Sequence, residues 1–176
     1  ILPENLNEIF AESVHNGWLT TGSQVKEFEA LLADYLNCKY VVAVNSCTAA
    51  LHLALAAKSY GIGDKFIAPT FTFVSTVEVG EYLNMEPVLV DSENDGFNID
   101  LNQVEDLVKN DNDIKVILPV HFAGEPVNMS ELLFIAKKYD VFILEDSAHA
   151  LESVSNIGKV GDTDDAAAFS FYANKN

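Results

Sequence analysis

Four short stretches of this sequence hold residues that can do chemistry, and the one nearest the carboxyl end carries a lysine. Ala166 to Phe171 is apolar except for Ser170, which suits a strand covered on both faces, and the polar Asn174-Lys175-Asn176 follows it. Open α/β sheets hold their ligands at the carboxyl ends of their strands. A lysine partly desolvated there could attack a carbonyl and form a Schiff base. Solvated surface charge is the plainer role for any one of the ten lysines. The second stretch, Leu144-Glu145-Asp146-Ser147-Ala148-His149-Ala150, brings an acid and a histidine to the same sheet edge. A buried carboxylate needs a cationic partner, and the protonated ring nitrogen of a pyridine cofactor is a chemically apt one. A helix-capping Asp146 and a hydrogen-bonded core His149 are the alternatives. A metal held by Asp146, His149 and His121 is a third, but no tight ligand spacing such as H-x-x-x-H supports it, and none is expected.

The third stretch, Asn45-Ser46-Cys47-Thr48-Ala49-Ala50, opens a helix with hydroxyls and free backbone N–H groups, a good seat for a phosphate. Simple N-capping by Ser46 or Thr48 explains it equally well. No G-x-G-x-x-G is present, which argues against a dinucleotide cradle. In the fourth, Pro69-Thr70-Phe71-Thr72-Phe73, an aromatic ring could lie over a flat cofactor, with core packing as the commoner use of phenylalanine.

The elements that must position these stretches alternate along the chain. Asn5 to His15 carries apolar residues at helical spacing, Trp18 to Gly22 reads as extended with Trp18 packed, and Ser23 is placed to cap a second helix. Strands are expected at Tyr40–Val44, Lys65–Ala68, Pro87–Val90, Lys115–Pro119, Val141–Glu145 and from Ala166. Helices are expected at Thr48–Lys58, Val74–Leu83, Leu101–Val108 and Ser130–Tyr139. Such alternation specifies a mostly parallel sheet with right-handed helical crossovers, a three-layer α/β/α fold. No repeat, linker or low-complexity tract divides the chain.

The 176 residues are 49% hydrophobic, enough for an ordinary domain with a real core. A formal charge of −17 is a poor match for nucleic acid or an anionic membrane surface, so neither is an expected partner. All ten basic residues are lysine, so a bidentate guanidinium clamp for phosphate must come from elsewhere. Two cysteines, with no signal peptide and no apolar run long enough to span a bilayer, point to the cytoplasm.

Together, Trp18-Leu-Thr-Thr-Gly22, Asn45-Ser-Cys-Thr-Ala-Ala-Leu51, Pro69-Thr-Phe-Thr-Phe73, Glu145-Asp-Ser-Ala-His149 and Phe169-Ser-Phe-Tyr-Ala-Asn-Lys-Asn176 resemble the DegT-type sugar-nucleotide aminotransferases. These are fold-type-I enzymes dependent on pyridoxal 5'-phosphate (PLP). The match runs over nearly the whole chain in the right order. The resemblance implies that Lys175 binds the cofactor covalently, that Asp146 pairs with its pyridine nitrogen and that His149 lies beside its ring oxygen. It likewise places Thr48, Ala49 and Ser170 at the cofactor phosphate and Phe73 on the ring. Cys47 departs from the glycine that many relatives carry.

The implied reaction is ping-pong transamination, with L-glutamate as amino donor and a keto-sugar linked to a nucleoside diphosphate as acceptor. Related dehydratases carry histidine in place of the lysine; a non-catalytic cofactor-binding module is the other alternative. The family also implies a homodimer. It continues past the lysine through a last strand of the large domain and a small C-terminal domain, so residues 1–176 are expected to be the N-terminal portion of the PLP-binding large domain. That last strand lies between Tyr40–Val44 and Ala166–Phe171 in the family, so residues 1–176 alone are expected to be catalytically incompetent.

Overall fold

The structure, a computed structural model, describes residues 5–18 and 20–175. Leu19 and Asn176, each part of a sequence motif, lie outside the described residues. The chain forms two compact units, Ile1–Ala43 and Val44–Asn176.

The first unit holds helices α1 (Leu6–His15) and α2 (Ser23–Leu36). Ser23 is not the cap the sequence suggests. Gly22, in an extended conformation, precedes the helix and Ser23 is its first residue. A side chain at Gly22 would meet Trp18, its Cβ lying 3.2 Å from Trp18 Cγ. Trp18 is otherwise 61% exposed, so the expected packing reduces to little more than this contact. Asn37 closes α2 in the left-handed region, which asparagine tolerates well. Residues 40–44 do not form the expected strand. A strand is defined by a ladder to a neighbour, and here the Ala43 N–H donates to a side chain, Glu29 Oε1, at 2.8 Å, while Tyr40 and Val42 stand exposed.

The second unit is a five-stranded parallel sheet in the order β2-β1-β3-β4-β5. Its strands are β1 (Lys65–Pro69), β2 (Glu86–Val90), β3 (Ile114–Ile117), β4 (Phe142–Ser147) and β5 (Ala166–Phe169). Its helices are α3 (Cys47–Ala57), α4 (Ser75–Glu81), α5 (Leu101–Asn110) and α6 (Met129–Tyr139). Side chains alternate across a strand, and the core divides accordingly. Phe66, Ala68, Val116 and Leu144 pack with Leu51, Leu55 and Val79 of α3 and α4. Ile67, Ile117 and Ile143 pack with Val104, Val108, Leu132 and Ile135 of α5 and α6. The strands are therefore apolar on both faces, and the expected three-layer α/β/α arrangement is what forms. Pro87 sits on β2 at the sheet's edge, where the missing N–H costs nothing to the ladder.

Two local details set the site. Gly80 of α4 lies on Phe66 of β1 so closely that a Cβ there would fall 2.2 Å from the ring, which brings α4 down onto the sheet. β4 runs two residues past the expected Glu145, because Asp146 and Ser147 pair with Ala168 and Phe169 and Asp146 also bridges to Val120. No helix among the described residues is long and apolar enough to cross a membrane.

Candidate active site

A cavity of about 660 Å³ opens at the carboxyl ends of the strands. Its wall includes Thr48, Phe73, Asp146, His149, Ser170 and Lys175, six of the seven residues singled out from sequence. The seventh, Ala49, does not line it. Its N–H is donated to Ser46 Oγ at 3.1 Å, so Ser46 is the N-cap of α3. Among the described residues no acceptor takes the amides of Cys47 and Thr48, which leaves the first turn of an eleven-residue helix free at the cavity wall.

Asp146 is 5% exposed and held from both ends of its peptide unit. Its N–H donates to Pro119 O at 2.9 Å and its carbonyl accepts from the His121 N–H at 3.1 Å. Carboxylate Oδ2 accepts from the Thr76 hydroxyl at 2.7 Å, and Oδ1 accepts from the Ala148 N–H at 3.2 Å. Asp146 is thus a strand residue and caps no helix. Among the described residues its hydrogen-bond donors are neutral, and it takes part in no ion pair. A buried carboxylate facing a cavity with only neutral donors is complementary to a cationic ligand atom.

Lys175 Nζ lies 2.7 Å from His149 Nε2, and the ring of Phe122 meets His149 edge-on at a centroid distance of 6.3 Å. Phe73 is 74% exposed, with its ring on the open side of the cavity. Cys47 adds a thiol between the acid and the last strand, its Sγ 4.0 Å from Asp146 Oδ1 and 3.4 Å from Ala168 O. Burial first, and the Asp146 charge second, push this thiol up to about 12 against a smaller pull from Lys175. The thiol therefore stays neutral and adds no second negative charge beside Asp146.

His121 lines the same cavity, but both of its ring nitrogens are taken up by Glu145 and Val127. Its Nδ1 accepts the Val127 N–H at 3.1 Å, so the proton sits on Nε2, which donates to the fully buried Glu145 at 2.9 Å. Glu145 also accepts from Thr163 at 2.9 Å. Among the described residues no group of three His, Cys, Asp or Glu is arranged to hold a metal ion.

Sequence reasoning passed over Thr76, which touches Asp146, and Phe122, which follows His121. The signal for Thr76 was present as Thr72 and Thr76, two hydroxyls four residues apart at a helix entry.

A parallel α/β sheet whose carboxyl edge presents an amine, a buried carboxylate and a free helix N-terminus defines a site for a phosphorylated, cationic-ring cofactor. Residues 2–176 match the DegT/DnrJ/EryC1/StrS aminotransferase family, and the chain belongs to it. It is 40% identical to the spore coat polysaccharide biosynthesis protein SpsC of Bacillus subtilis (strain 168) over 173 residues, 98% of this chain and 44% of that protein. It is 35% identical to the GDP-perosamine synthase of Caulobacter vibrioides over 175 residues, 99% of this chain and 47% of that one. Among solved structures, Spr1654 from Streptococcus pneumoniae in its PLP form superposes with a TM-score of 0.91 at 32% identity, covering 99% of this chain and 48% of that one. The chain thus spans a little under half the length of the curated relatives it matches. The donor set fits pyridoxal phosphate, the family's cofactor: a carboxylate lacking a cation, a lysine amine, free helix amides and a hydroxyl, Ser170, around one cavity.

Proposed function

We propose that the complete protein transfers an amino group from L-glutamate to a keto-sugar carried on a nucleoside diphosphate, giving an amino-deoxysugar nucleotide. The observation that carries this reading is that Lys175 and Asp146 face one cavity, from the segment after β5 and from the end of the adjacent β4. The relatives' names, a GDP-perosamine synthase and a spore coat polysaccharide biosynthesis protein, support a sugar-nucleotide substrate. Residues 1–176 would be the N-terminal portion of the cofactor-binding large domain, working in the cytoplasm where sugar nucleotides and reduced cysteines coexist.

Bound pyridoxal phosphate supplies a carbonyl and an electron-withdrawing ring. Lys175 would hold the cofactor through that carbonyl and, as a free amine, would carry a proton at the substrate carbon. His149 Nε2, 2.7 Å from Nζ, accepts a hydrogen bond from the amine and fixes its direction. Asp146 would keep a proton on the ring nitrogen. The amides opening α3, with Thr48 and Ser170, would hold the phosphate, and Phe73 would pack on the ring. The dehydratase alternative calls for histidine at the lysine's position, and Lys175 favours transamination over it.

A diphosphate meets no arginine in this chain, whose formal charge is −17, so any guanidinium clamp for it must lie outside these 176 residues. A homodimer that shares its active sites is the arrangement we propose.

Borohydride reduction of the protein with pyridoxal phosphate, followed by peptide mapping, tests the central assignment. The label is expected on Lys175. Label on another lysine, or on none, removes the lysine chemistry and leaves at most a non-catalytic binding module.

A further inference from the structure

Thr76 is fully buried in the first turn of α4, and its hydroxyl lies 2.7 Å from Asp146 Oδ2. Thr72 Oγ1 lies 2.7 Å from Thr76 Oγ1 and reaches the wall of the cavity. A hydroxyl carries one proton and an ionised carboxylate can only accept. Thr76 therefore spends its proton on Asp146, and Thr72 must donate to Thr76. The result is a directed chain, Thr72 to Thr76 to Asp146, whose last link has the length of a charge-assisted O–H···O bond. Successive donors in such a chain polarise one another.

The other carboxylate oxygen is treated differently. Oδ1 accepts the Ala148 N–H, and the nearby Cys47 thiol is closer to Ala168 O, at 3.4 Å, than to Oδ1, at 4.0 Å. Neither donor carries a positive charge, yet together they fix the carboxylate's orientation at both oxygens. Asp146 is thus aimed but left electrostatically unmatched. Gly80, one turn beyond Thr76, allows α4 to approach β1 closely enough for this contact.

We infer that Thr76, supported by Thr72, is a positioning residue that orients the Asp146 carboxylate toward the ring nitrogen of pyridoxal phosphate. This rests on the role proposed above for Asp146. The chain acts only through that one ligand atom, so a ligand lacking the atom does not feel it.

The test compares the dissociation constants of pyridoxal phosphate and of its 1-deaza analogue, which keeps the aldehyde and phosphate but has C–H in place of the ring nitrogen. The protein is used as expressed from its native gene. The wild type is expected to prefer pyridoxal phosphate. Thr76→Val should lose about tenfold in affinity for pyridoxal phosphate and leave the analogue unchanged, the loss expected when a donor to a charged acceptor is removed. Thr76→Ser should restore the preference, and Thr72→Val, at the cavity wall, should lose a smaller part of it. Equal losses for both ligands in Thr76→Val would mean a merely structural residue, and no loss in either threonine variant would also overturn the inference. Should Thr76→Val fail to fold, Thr72→Val and Thr76→Ser decide. Asp146→Asn separates the two levels. If it abolishes the preference while the threonine variants keep it, only the threonine chain is wrong; if it too keeps the preference, the role of Asp146 falls and the inference with it.

Discussion

Cys47 occupies a position where a thiolate would be destructive, beside a carboxylate at the heart of the cavity. Burial and the Asp146 charge answer this by holding the thiol protonated, with a pKa pushed up to about 12 from an ordinary 9.0. The folded state therefore grips this proton more tightly than the unfolded chain does. That contribution is present below about pH 9 and is lost as the pH rises toward 12. Alkylation proceeds through the thiolate, so the raised pKa predicts labelling of Cys47 at pH 8 slowed by about tenfold or more on folding, the scarcer thiolate outweighing its greater nucleophilicity. Mass-spectrometric rates for native and urea-unfolded protein check this, and equal rates would show that the thiol is not protected. Single residues were unequally legible in the sequence. Lys175 and Asp146 stood out because each interrupts polar chemistry onto the end of an apolar run. Ser46 and Thr48 did not separate, since either hydroxyl can cap a helix; the fold assigns the cap to Ser46, and both residues line the cavity. For Thr76 the sequence offers only its spacing from Thr72 at a helix entry; its partner Asp146 lies seventy positions away, and no local pattern encodes that contact.

Elements that bury an apolar face were readable, and those that depend on a distant neighbour were not. The parallel strands and their helices appear within a few residues of where periodicity puts them. Residues 40–44 have the composition of a strand but pair with nothing among the described residues, and composition cannot supply a ladder. β4 outran its apolar run because main-chain pairing to Ala168 and Phe169 continued after the hydrophobic signal stopped. α4 illustrates a helix placed by absence of a side chain. With a Cβ at Gly80 only 2.2 Å from Phe66, Gly80→Ala must push helix and sheet apart. Overpacking of this kind costs about 1–3 kcal/mol. Urea unfolding should show that loss, and adding Phe66→Leu should recover part of it because the two positions share one contact. A Gly80→Ala protein as stable as the wild type would mean that α4 is not held by this close approach.

At the scale of the molecule, a formal charge of −17 without arginine is a poor electrostatic match for the diphosphate of the proposed substrate. A second copy of these residues adds no arginine, so the groups that meet the diphosphate are to be sought outside residues 1–176; for the proposed homodimer, sedimentation of the active protein should give twice the mass of its chain, and a fully active monomer would overturn that arrangement. What joins the molecular scale to the site is the position of β5. It is the last strand in the sheet order, bonded to β4 on one side and to no strand among the described residues on the other. Successive amides of a β-strand point to opposite sides. Alternate N–H groups of β5 are therefore locked into the sheet, while those between them look outward. The exchange of these outward amides with deuterated water becomes a gauge of whatever lies along that edge, fast where it is bare and slow where a further strand or subunit covers it. Because the chain leaves β5 at Phe169 and reaches Lys175 six residues later, the same amides report how firmly the strand that leads to this lysine is held before any cofactor is added.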